Sequence, residues 1–162
     1  MREWGKRSAE VKYLLNPAFC GRLLLAAVAE YESRSGQPMP FPMFYLVLPL
    51  VLHRKTREKI NSKTKLLNWT QINQDLLIGF ADRARSLVEI TNESIEFLLC
   101  AGIVQLTDTG NIIRNPKQRK LSETDFLDEE IQECVLKSKH VARWFVNAGT
   151  TENVYICLGV RP

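Results

Sequence analysis

Residues 91–114 read TNESIEFLLCAGIVQLTDTGNIIR, and the fold turns on them. Thr91 is a residue type that caps helices, and 92–101 then carries Ile95, Phe97, Leu98 and Leu99 as its apolar set. Gly102 ends that helix. Two β-branched runs follow, 103–106 and 111–114, around a polar turn holding Asp108 and Gly110, which is the pattern of a hairpin. Upstream, 66–74 reads as a short helix. Residues 75–88 read as another, with Leu76, Leu77, Phe80, Ala84, Leu87 and Val88 at helical spacing. Helix, helix, capped helix and hairpin, in that order, predict a winged helix-turn-helix core over 66–114 with 103–114 as the wing.

Working towards the N-terminus, Asn16 and Pro17 signal a helix start, because Asn caps and Pro at the first position gives up a donor that would be unpaired anyway. The helix runs to Ser35 and is apolar around most of its circumference, which predicts a place deep in a core or interface. Gly36 ends it, and 37–42, with three prolines, reads as an extended loop. A second apolar helix covers 43–52. Pro49 inside it predicts a kink or frayed turn near Tyr45, whose carbonyl loses a donor.

Beyond the wing, 115–120 (NPKQRK) is a basic loop, and Ser122, Glu123, Asp125, Asp128, Glu129 and Glu130 favour the N-terminus of a last long helix. Its seam is Ile131, Cys134, Val135, Ser138, Ala142 and Phe145, broadened by Val141, Trp144 and Val146. Gly149 closes it, and Thr150 or Thr151 caps a final turn over 152–158. The expectation is one mainly α (α+β) domain over 1–162. Residues 1–13 form a partly disordered N-terminus, apolar helices precede the winged-helix core, and 122–162 is a C-terminal helical extension.

Composition narrows the function. The chain has 162 residues, 45% hydrophobic and 25% charged, enough for a core and against disorder. A net charge of +4 is compatible with nucleic acid without implying it. The longest apolar run, 41–52, is too short for a bilayer core of about 30 Å, and the polar start lacks a signal-peptide core. A cytoplasmic protein with no membrane contact is expected. Cys20, Cys100, Cys134 and Cys157 are widely spaced and read as buried thiols.

Catalytic patterns are hard to find. His53 and His140 have no partner at metal-ligand spacing, so no metal is expected. Lys63 and Thr64 resemble the tail of a phosphate-binding loop, but its glycines are missing, and no serine sits in G-x-S-x-G. The acidic pairs are explained by the helix dipole. The reading is a non-enzyme without catalytic residues or cofactor.

Binding remains. A helix reading DNA bases needs Arg, Lys, Asn or Gln on its exposed face, whereas 92–101 offers Asn92, Glu93 and Glu96, two of them carboxylates. The cations lie elsewhere: Arg54, Lys55, Arg57, Lys59, Lys63 and Lys65, then Arg83 and Arg85, then Arg114, Lys117, Arg119 and Lys120. That set suits phosphate backbones without sequence preference, an acidic protein face, or plain solvation. Phe19, Tyr31, Phe44, Trp144 and Phe145 are candidate partner-docking residues.

Four blocks carry a resemblance: NPAFCGRLLLAAVAEY at 16–31, MPFPMFYLVLPLVLHRKTRE at 39–58, LLIGFADRARSLV at 76–88, and ARWFVNAGTTENVYICLGVRP at 142–162. Together they resemble the middle component of bacterial three-component ABC-ATPase systems, which include Lamassu-type anti-phage systems. The matching positions are Asn16, Pro17, Phe19, Leu48, Pro49, Leu52, His53, Gly79, Phe80, Arg83, Arg85, Arg143, Trp144 and Phe145. Arg54 departs from the pattern, where lysine is expected. The resemblance implies a small winged-helix-like adaptor that binds an SMC-like ABC ATPase, helps hold an effector (often a nuclease) inactive, and touches double-stranded DNA through the complex. It brings no catalytic residue. The rival expectations are a stand-alone winged-helix DNA-binding regulator and, behind it, a hydrolase or nuclease with an unrecognised site.

Overall fold

A computed structural model describes residues 15–117 and 128–161. The expected order and disorder over 1–13, and the acidic approach with Ser122, Glu123 and Asp125, lie outside the described residues.

Helix α1 (Pro17–Ser35) begins as its sequence dictates: Asn16 Oδ1 accepts from the Ala18 N–H at 2.8 Å, and Pro17 is the first helical residue. Its C-terminus closes on Gly36 at φ 67, a left-handed position that glycine takes without steric cost. Leu23, Leu24, Ala27 and Val28 have no solvent exposure, so α1 is the helix around which the rest packs. The chain then forms strand β1 (Met39–Pro40), one 3₁₀ turn (Phe41–Met43) and helix α2 (Phe44–Val51). Pro49 sits inside α2 and every α2 residue except Tyr45 is buried.

The basic stretch that follows is a helix in its own right, α3 (Arg54–Lys59), not the frayed end of α2. Four helices come next: α4 (Leu66–Ile72), α5 (Gln74–Leu77), α6 (Phe80–Ser86) and α7 (Val88–Cys100). The single helix expected over 75–88 is broken at Gly79, whose φ of 71 cannot continue a right-handed turn. Thr91 is no cap. It lies one turn inside α7, fully buried, with its hydroxyl donating to the Leu87 carbonyl at 2.8 Å. A threonine back-bonded one turn up its own helix is a recognised alternative to capping.

The hairpin forms where expected, as β2 (Val104–Leu106) and β3 (Asn111–Arg114), paired antiparallel with Gln105 opposite Ile113. The proline-rich loop supplies a third strand. Met39 pairs with Ile112 and Pro40 with Asn111, giving the order β1-β3-β2. Helix α8 (Glu129–Ala148) then runs along α1, and α9 (Thr151–Leu158) returns against α4 and α8. Of the expected seam of α8, Cys134, Ser138, Val141, Ala142, Trp144 and Phe145 are buried, while Ile131, Val135 and Val146 are half-buried. Thr150 caps α9 through the Asn153 N–H.

Asp128 opens α8 by accepting from the Glu130 and Ile131 N–H groups at 2.8 and 3.3 Å. Asp128→Ala should therefore cost about 1 kcal/mol, lowering the melting midpoint by about 2–4 °C for a chain this size. Thermal unfolding followed by circular dichroism checks this, and an unchanged midpoint would refute the cap.

Candidate interaction surface

Helix α3 has one buried edge. Arg57 is 3% exposed, and each of its three guanidinium nitrogens makes a hydrogen bond. Its Nε donates to Glu133 at 3.0 Å, one terminal nitrogen donates to Glu130, and the other donates to the Val51 carbonyl at 3.1 Å. Arg57 is therefore a clasp between α3 and α8 and cannot reach a phosphate, which corrects its place among the surface cations. Because that edge faces in, Arg54, Lys55 and Lys59 face out, with Arg54 in an i,i+4 pair to Glu58 at 2.9 Å.

The loop after α3 is fastened at both ends. The Lys137 ammonium donates to the Ile60 carbonyl, and Trp144 Nε1 donates to the Thr64 carbonyl at 2.6 Å. Between them Asn61 Oδ1 accepts from the N–H groups of Lys63 and Thr64 at 2.9 and 3.0 Å, an Asx turn. Lys63 and Lys65 are exposed on this fixed loop, and among the described residues no carboxylate pairs with Lys55, Lys59, Lys63 or Lys65. Arg54, Lys55, Lys59, Lys63 and Lys65 are thus all exposed and come from a single stretch of chain.

The remaining cations are scattered. Arg83 is half-buried, donates to the Leu76 carbonyl at 3.0 Å and lies 5.5 Å from the Phe80 ring centre, so it also serves the interior. Arg85 is exposed and pairs with Asp82 at 2.9 Å. Arg114 is clamped by Glu32 of α1, which accepts from both its backbone N–H and its Nε, at 2.6 and 2.7 Å. Lys117 is exposed. Arg119 and Lys120 lie outside the described residues.

The aromatic docking candidates are corrected in the same way. Tyr31, Phe44, Trp144 and Phe145 are buried, at 6, 0, 2 and 0% exposure, and Phe19 is half-buried against the core. Trp144 stacks obliquely on Trp69 with ring centres 5.1 Å apart. Their apolar bulk, which in sequence suits an interface equally well, completes the interior. Glu93 is buried too, and Asn92 already accepts a hydrogen bond from the Tyr45 hydroxyl at 2.6 Å. Cys20 and Cys134 are buried as expected, and burial pushes the Cys20 thiol up to about 12, with the Ser94 side chain pulling the other way. Cys100 is exposed, which corrects that expectation.

Sequence reasoning missed the apolar side chains that the core leaves in water. Ile72, Ile78 and Ile156 are 73, 78 and 75% exposed, and Leu67 and Leu106 are more than half exposed. They sit on α4, on the loop after α5, on α9, which packs on α4, and on β2. A signal existed: Ile72 and Ile78 adjoin the helix-ending Asn73 and Gly79, where an apolar residue falls off the buried stripe.

Among the described residues, no group of three or more His, Cys, Asp or Glu is placed to hold a metal, and no helix is long and apolar enough to cross a membrane. A cleft of about 240 Å³ lies where α1, the loop after α3 and α8 meet, lined by Arg34, Ser62, Thr64, His140, Arg143, Trp144, Val146 and Asn147. No curated protein and no solved structure shows significant similarity to the chain. Residues 4–162 match the family described as ABC-three component (ABC-3C) system Middle Component 3.

Proposed function

Since the chain belongs to the Middle Component 3 family of ABC-three component systems, we propose that it is a non-catalytic adaptor, bridging an SMC-like ABC ATPase and an effector in a Lamassu-type anti-phage complex. A middle component implies partner proteins, and one observation supports docking as its work: Ile72, Ile78 and Ile156 stand about three-quarters exposed beside a core that is already filled. Large apolar side chains grouped on adjoining elements favour a protein partner over water.

The chain order also supports a winged-helix reading. Helix α1, strand β1, the following helices and the hairpin run in sequence, with β1 added beside β3. That unit is larger than 66–114, because α1 and β1 belong to it. Helix α7 presents Glu89 and Glu96 to solvent, an unfavourable face for base reading, so DNA contact is assigned to the α3 cations and the phosphate backbone.

Co-expression with the candidate ATPase and effector, followed by size-exclusion chromatography, tests the adaptor role. Co-elution is expected. The pair Ile72→Glu and Ile78→Glu should abolish it while shifting stability by only about 0.5 kcal/mol per exposed site. A wild-type chain eluting alone, or a variant that co-elutes normally, would count against this reading.

A further inference from the structure

The cleft where α1, the loop after α3 and α8 meet is built around two guanidiniums held by one carboxylate. Glu30 Oε1 accepts from Arg34 Nε at 2.9 Å and from Arg143 Nε at 2.6 Å. These contacts use only the Nε of each arginine. The terminal amino groups, which form the fork that grips an oxyanion, take no part in them. Two cations against one anion leave the cleft positive, and Lys63 and Lys65 stand exposed on the loop that forms its wall. Neutral donors complete the lining, in Ser62 and Asn147. His140 also lines it, and its Nδ1 is enclosed without a hydrogen-bond partner among the described residues.

We propose that this cleft binds a phosphate group. Guanidiniums from two helices line the same cleft as the Ser62 hydroxyl and the Asn147 amide, a donor set rich enough for the several oxygens of a tetrahedral oxyanion. A cation would be repelled, and an apolar ligand would strip water from two charged groups without return. The proposal is independent of the adaptor role, because phosphate binding is measurable on the isolated chain. The group can arrive as free phosphate or as one link of a nucleic-acid backbone, and the test separates these sources.

His140 is the reporter. Burial, then the Arg143 and Lys137 charges, hold its imidazole below the ordinary value, with Glu30 pulling the other way. Negative charge entering the cleft favours the protonated ring. His53, the other of the two histidines, borders α3 and is held low by burial, Arg83 and Lys55, so it serves as an internal control for the inorganic-phosphate arm.

Histidine-ring NMR of the full chain would be followed against pH, with inorganic phosphate or a short DNA duplex added at matched ionic strength. The expected result is a saturable rise of about one unit at His140, reduced in Arg34→Gln and, in the inorganic-phosphate arm, absent from His53. Arg34 is more than half exposed, and its loss leaves the Arg143–Glu30 link in place, so that variant retains the fold. A response to phosphate but not to duplex identifies a free ligand. A response to duplex, with or without phosphate, identifies a backbone group; either supports the proposal. No saturable response in either arm, an equal shift at His53 with inorganic phosphate, or an undiminished response in Arg34→Gln would overturn it.

Discussion

Trp144→Ala is expected to destabilise the chain by about 3–5 kcal/mol, the usual cost of emptying a buried indole site. Trp144 is 2% exposed, stacks on Trp69, and donates its Nε1 proton to the carbonyl of Thr64. Three things disappear together: the filled volume, the aromatic contact, and the tether that fixes the loop carrying Lys63 and Lys65. Urea unfolding followed by far-ultraviolet circular dichroism measures the loss. A midpoint equal to that of the wild type would mean that the indole is no part of the core. The result also bears on partner assays, since lost binding in this variant would report a lost fold, whereas Ile72 and Ile78 can be changed with the interior intact.

The second large effect is expected at the α3–α8 clasp. Replacing both Glu130 and Glu133 by alanine leaves the Arg57 guanidinium buried with only the Val51 carbonyl as acceptor. Stranding a buried charge costs about 3–5 kcal/mol, with the lower end expected here because water reaches both carboxylates. Their side chains are 65 and 36% exposed, against 4% for Arg57. Arg57→Met added to the double variant should then recover most of the loss, because an apolar side chain of similar length needs no counter-charge. A double-mutant cycle read by thermal or urea unfolding provides the check. If Arg57→Met lowers the stability of the double variant further, the guanidinium is not stranded and the clasp is misread.

Much of the architecture is legible in the residues, for local reasons. Asn16-Pro17, Gly149, Thr150 and the Thr107–Gly110 turn act within a few positions of themselves, and each marks an element end where expected. What sequence cannot carry is the choice between faces that look alike. Arg57 and Lys59 are both cations on one short helix, yet only the first meets carboxylates 73 and 76 residues away. Trp144 and Ile156 are both large and apolar, yet one is interior and the other three-quarters exposed. The third strand escaped for a related reason, because pairing of Met39 with Ile112 depends on a partner 73 positions along the chain. The cleft residues come from three separated elements, so no local spacing joins Arg34 to Ser62 and Arg143.

The prolines beside β1 have a consequence for self-association. Pro38 and Pro40 are two residues apart, so in extended chain their ring nitrogens point to the same side. Proline is accommodated in a paired strand with that nitrogen turned away from its neighbour, which here means away from β3. The outer margin of the sheet is thereby stripped of amide donors at alternate positions, and an incoming strand would find nothing there to hold its carbonyls. Templated stacking of one copy on another through this margin is blocked. Any β-augmentation must approach along β2, where Leu106 is left in solvent.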